Sequence, residues 1–77
     1  MSRKNLENIE KYTFLFEKYK NLLTQTQKQI FELYFYQDLS YAEIAEITAT
    51  TRTAAYDAIK KATKKLEKLE KDVYSET

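Results

Sequence analysis

Apolar residues recur at three- and four-residue steps along nearly the whole chain, the period of helices buried on one face. Ile9, Tyr12, Phe16, Tyr19 and Leu23 share such a face, widened by Leu15 and Leu22, and predict a first helix over residues 5–23. Phe14 points away from that stripe. Thr24-Gln-Thr-Gln27 fits a capping box, with the Thr hydroxyl and the Gln amide each satisfying an orphan backbone donor. It opens a second helix carrying Ile30, Phe31, Leu33, Tyr34 and Phe35, which should end near Tyr36 or Gln37. Ser40-Tyr-Ala-Glu43 is a second capping box, and Leu39 and Ile44 flank it as a hydrophobic staple. The third helix should be short, Tyr41 to about Ile47, with Ile44, Ala45 and either Ile47 or Thr48 inward. Thr51 is the expected cap of a fourth helix over residues 51–73. On it Ala55, Ile59, Ala62, Leu66, Leu69 and Val73 form a heptad seam. The seam runs past the domain's own core, so its far end needs a cover: the first helix folding back antiparallel, or a second protein chain.

The expected fold is therefore all-α, a four-helix bundle in one domain over residues 1–77. Composition strengthens this. The 77 residues include no Gly, Pro, Cys or His, where average usage gives about five Gly and four Pro. Nothing breaks a helix from within. Zero Cys excludes disulfides and thiolate metal sites, and zero His removes the commonest general base. The acidic residues lie beside lysines at solvated spacing, so no enzyme activity, cofactor or metal is expected. No stretch has the length or apolarity of a membrane span or leader, so a soluble, cytoplasmic protein is expected.

A short capped helix, a tight turn and a second helix make a helix-turn-helix, here over about residues 40–62. Leu23-Thr24, Gln27, Leu33, the run Leu39-Ser-Tyr-Ala-Glu-Ile-Ala-Glu46, Thr51 and Ile59 resemble region 4 of sigma-70-type factors. The stretch Thr51-Arg-Thr-Ala-Ala-Tyr-Asp-Ala-Ile-Lys60 is similar, more narrowly, to the YlxM-like family of that fold. The resemblance covers about Tyr12 to Leu69. It implies a free-standing sigma-70 region 4-like domain with a long C-terminal recognition helix, and a regulator or adaptor of the bacterial signal recognition particle pathway.

The turn departs from the region 4 pattern of apolar, Gly or Asn, apolar, Ser. Its four positions are Thr48, Ala49, Thr50 and Thr51. Ala49 brings a Cβ to a left-handed position, at about 1–2 kcal/mol, and the two Thr bring hydroxyls to apolar anchor sites. A looser corner than that of a dedicated DNA reader is expected.

If the motif reads DNA, Arg52, Thr53, Tyr56 and Lys60 face base edges, and Lys61 and Lys64 lie nearer phosphates. Asp57 could accept from cytosine, but an intrahelical pair with Lys60 or Lys61 is the favoured reading. Arg52 to Lys71 holds seven basic and three acidic residues, whereas the whole chain carries only +1. A solvated helix face explains those lysines about as well as phosphate binding does. Three functions are weighed, and the first, a non-enzymatic adaptor, is the expected one with the second as its alternative. One is an adaptor contacting signal recognition particle protein or RNA. Another is a small transcriptional regulator on duplex DNA. The third is a homodimerisation module using Ile59, Leu66, Leu69 and Val73.

Overall fold

The computed structural model describes residues 6–75, so the predicted helix start at Asn5 lies outside the described residues. Four helices follow one another: α1 (Leu6–Tyr19), α2 (Gln25–Phe31), α3 (Tyr41–Thr48) and α4 (Arg52–Ser75). No strand occurs among the described residues, and the fold is all-α as expected.

Two helices change their winding at the C-terminal end. The chain after α1 tightens into a 3-10 turn, Lys20–Leu22, before Leu23 goes extended. A 3-10 turn advances about 120° per residue rather than 100°. The predicted α-helical phase is thereby lost, and Leu22 is exposed rather than inward while Leu23 is buried. After α2, residues Glu32–Tyr36 wind as a π-helical turn that ends at Gln37. Asp38 follows at φ 57°. The wider turn splays Leu33 inward and leaves Tyr34 and Phe35 half-buried.

Both capping boxes form. Thr24 Oγ1 accepts from the Gln27 N–H at 3.1 Å while Gln27 Oε1 accepts from the Thr24 N–H at 3.0 Å. Ser40 and Glu43 repeat the exchange at 3.2 and 2.8 Å. Thr51 caps α4, its hydroxyl accepting from the Ala54 N–H at 3.0 Å.

The core has two connected parts. In the first, Leu15, Phe16, Tyr19 and Leu23 pack on Phe31 and Leu66, with the Phe16 and Phe31 rings stacked at 4.3 Å. In the second, Ile30 and Leu33 meet Ile44, Ala45, Ala55 and Ile59. That second cluster is what fixes the helix-turn-helix corner on α2. Thr48, not Ile47, completes the inner face of α3: it is half-buried, whereas Ile47 is exposed.

One expectation is overturned by the direction of α1. Lys11 and Tyr12 both bond Glu67, while Lys18 and Tyr19, seven residues further along α1, both bond Glu70. Both helices thus advance in the same chain sense, and α1 crosses α4 parallel rather than antiparallel. The intervening elements return the chain to the level where α1 begins, so Tyr56 and Ile59 lie beside Asn8 and Ile9. The cover sought for the seam is α1 itself, as far as Glu70.

These contacts set the pH range of stability. Glu17 is held below its usual 4.5 by hydrogen bonds from Tyr36 and then Lys20. Tyr19 and then Lys18 lower Glu70, and Lys11 does so chiefly for Glu67. A depressed carboxylate adds stability above its unfolded pKa, and that stability is lost as pH falls through the folded value. Tyr36 shows the opposite case: burial, then Glu17, push its phenol from 10.0 up to about 12. Its contribution is complete below pH 10.0 and lost as pH rises towards about 12. Circular dichroism melts should therefore give a flat Tm between these limits and a fall on either side. Tyr36→Phe should shrink the alkaline fall; an unaltered alkaline limb would show that the phenol does not contribute.

Candidate nucleic-acid interface

The corner that presents α4 is closed by hydrogen bonds rather than loosened. Ala49 takes φ 56°, ψ 44°. The Thr50 N–H reaches the Ala45 carbonyl at 2.9 Å and the Ala49 N–H the Glu46 carbonyl at 3.4 Å, the two bonds of a Schellman cap. Thr48 Oγ1 donates to the Ile44 carbonyl at 2.8 Å and lies 2.9 Å from Thr50 Oγ1. The hydroxyls that looked misplaced in sequence are thus satisfied by each other and by the helix, so the turn is rebuilt. Ala49 keeps its steric penalty. Ala49→Gly is expected to stabilise the domain by about 1 kcal/mol, a Tm rise of roughly 4–8 °C for a chain this size. An unchanged or lower Tm in a thermal melt would show that the strain is relieved elsewhere.

α4 divides cleanly by exposure. Ala55, Ile59, Ala62 and Leu66 are buried, and Leu69 packs against the core from its edge. On the opposite side Arg52, Thr53, Tyr56, Lys60, Lys61 and Lys64 are all exposed. Lys68 and Lys71 continue that face at steps of four and three residues and are also exposed. Sequence reasoning omitted them, although the spacing from Lys60 and Lys64 was there to read. Asp57 is exposed among these groups, and the expected pair with Lys60 or Lys61 does not form among the described residues. Instead Lys60 Nζ sits 5.6 Å from the centre of the Tyr56 ring.

The self-association set needs correcting. Ile59 is 5% exposed and Leu66 not at all, because both belong to the domain's own core. Neither can meet a second chain without opening the fold. Val73, past the reach of α1, is exposed, and Leu69 is half-buried.

Beside the basic face lies a feature that sequence reasoning missed. A cleft of about 430 Å³ is lined by Tyr12 of α1, Tyr34 and Phe35 of the π turn, Tyr41 of α3, and Tyr56 and Lys60 of α4. Tyr34 and Tyr41 stack at 5.0 Å, and the Tyr41 hydroxyl donates to that of Tyr34 at 3.1 Å. Burial, then that bond, pushes the Tyr41 phenol well above its usual value, so it stays neutral at any physiological pH. Tyr56 meets Tyr41 edge-on at 5.4 Å.

The family model described as "Putative helix-turn-helix protein, YlxM / p13 like" matches residues 6–75, from α1 to the end of α4. The chain belongs to this family, UPF0122. A UPF0122 protein of Clostridium novyi (strain NT) is 50% identical over 66 residues, 86% of this chain and 57% of that protein. One of Mycoplasma capricolum is 48% identical over 69 residues, 90% of this chain and 61% of the relative. Another, of Mycoplasma mycoides, is 49% identical over 65 residues, 84% and 58% respectively. The chain thus spans less than two thirds of the length of these relatives. No solved structure matches it. UPF0122 is described by its helix-turn-helix and not by a reaction. No helix among the described residues is long and apolar enough to cross a membrane.

Proposed function

We propose that this UPF0122 chain is a regulatory helix-turn-helix protein that binds nucleic acid by laying α4 against a duplex. The observation that carries the reading is the continuous exposed strip of Lys60, Lys64, Lys68 and Lys71, flanked by Arg52 and Lys61, on a helix whose other side anchors the domain. Lysines on one helix face supply the phosphate contacts that dominate affinity, and the exposed first turn supplies Arg52 and Thr53 to base edges. Tyr56 adds an aromatic at the groove edge. The hydrogen-bonded corner supports this use, because a recognition helix must be held at a fixed angle.

The near-neutral total charge of +1 favours a second reading, an adaptor on protein or RNA of the signal recognition particle. Both readings use the lysines of α4, but only the duplex reading needs Arg52 and Thr53 at base edges. Self-association, which would double the basic surface, falls to Leu69 and Val73.

The test is an anisotropy titration of labelled random duplex DNA at several salt concentrations. Micromolar binding with a log–log salt slope of about two or more supports the duplex reading. No binding at about 50 mM salt overturns it. Arg52→Ala with Thr53→Ala then separates the readings: it should abolish sequence preference on DNA and spare a protein partner.

A further inference from the structure

The tyrosine cleft is unused by the duplex reading, although it shares two residues with it. Four of its walls are tyrosines drawn from four different elements, Tyr12, Tyr34, Tyr41 and Tyr56, and none of them is fully buried. Tyrosine rings offer flat faces that stack on any base, with hydroxyls able to reach base edges. A space of about 430 Å³ lies in the range of small-ligand sites.

Charge selects among the occupants that would fit. Lys60 stands on the wall of the cleft, and among the described residues none that lines it is a carboxylate, although Glu67 accepts from the Tyr12 hydroxyl at 3.0 Å. Lys64, one turn after Lys60 on α4, is exposed and continues the basic strip from it. A protein side chain of aromatic type would fill the walls but would have no need of the ammonium. A nucleotide needs both. Tyr56, Ile59, Lys60 and Thr63 lie on successive turns along one edge of α4, so the cleft opens directly beside the basic strip.

We propose that this cleft holds one unpaired nucleobase, so that the protein engages nucleic acid where a duplex gives way to a single strand. The inference rests on the nucleic-acid reading of α4 and names the form of nucleic acid it prefers. Lys60 Nζ now lies over the Tyr56 ring, 5.6 Å from its centre. A phosphate arriving with the base competes for that ammonium, and a charge-assisted bond to phosphate is stronger than an exposed cation–π contact. Moving Lys60 to the phosphate uncovers the ring for the base. Base and phosphate therefore enter together, and neither a free base nor free phosphate should bind well alone.

The experiment uses hairpins of DNA and of RNA with 2-aminopurine in the loop, against a blunt duplex of the same number of phosphates. The loop hairpin should bind about tenfold tighter than the duplex, with several-fold quenching of the loop probe as it stacks. Thr63→Trp fills the cleft from a half-buried position off the basic strip. It should reduce hairpin affinity to that of the duplex and leave duplex binding within about twofold, with an unchanged helical spectrum. Tyr56→Phe should retain the quench and Tyr56→Ala lose it. Equal affinity for hairpin and duplex, with an unquenched loop, overturns the cleft and spares the reading of α4. Binding to neither overturns both and leaves the cleft to a protein side chain. Preference for the RNA or the DNA loop identifies which single strand the site serves.

Discussion

Leu66→Glu is expected to unfold the domain, not to dissociate a dimer. Leu66 has no exposure and sits among Phe16, Tyr19, Leu23 and Phe31. Losing its burial costs about 1.5–3 kcal/mol. Placing a carboxylate there with no partner adds several kcal/mol more, or forces the group to stay protonated. A domain of 77 residues has only about 4–12 kcal/mol in total. Circular dichroism should show most helix signal lost at 25 °C, at every protein concentration. A folded Leu66→Glu chain would mean that the seam faces another molecule and that α1 does not cover it. Val73→Glu is the contrasting variant, since Val73 is 46% exposed. It should keep the helical spectrum, and it alone reports on self-association by gel filtration.

That contrast shows why the seam could be read in sequence but not its partner. Heptad spacing from Ala55 to Val73 states which side of α4 is buried. It says nothing about what buries it, and a parallel α1 serves as well as a second chain. The direction of α1 is decided by how α2 and α3 return the chain, and no residue of α1 or α4 records that. Caps fared differently, because Thr24 with Gln27, Ser40 with Glu43, and Thr51 act within one turn and need no tertiary knowledge. Leu22 was misplaced because a 3-10 turn changes the angle between neighbours, and the sequence Lys-Asn-Leu gives no sign of it. The basic strip was largely legible, since it follows helical spacing on one element. The tyrosine cleft was not. Its four rings come from positions 12 to 56, and only the π turn at Glu32–Tyr36 and the corner at Ala49 bring them to one place.

Reversing two charges on the strip gives the second large effect. Lys60→Glu with Lys64→Glu takes the segment Arg52 to Lys71 from a net +4 to zero. Both lysines are exposed and neither forms an ion pair among the described residues, so stability should change by no more than about 0.5 kcal/mol each. Each phosphate that a lysine no longer neutralises lowers the log–log salt slope by about one. The double variant should therefore lose about two units of slope and at least about tenfold in duplex affinity near 100 mM salt. Total charge alone would weaken binding somewhat, so the control must match it. Lys20→Glu with Lys28→Glu changes the net charge by the same amount on the 3-10 turn and α2, away from the strip; because it also breaks the Lys20–Glu17 pair, its helical spectrum is checked before the titration. If α4 is the binding face, the control keeps most of the slope and the strip variant does not. Equal losses would show that the duplex responds to the charge of the whole molecule, and the lysines of α4 would then be a solvated helix face with no special claim on nucleic acid.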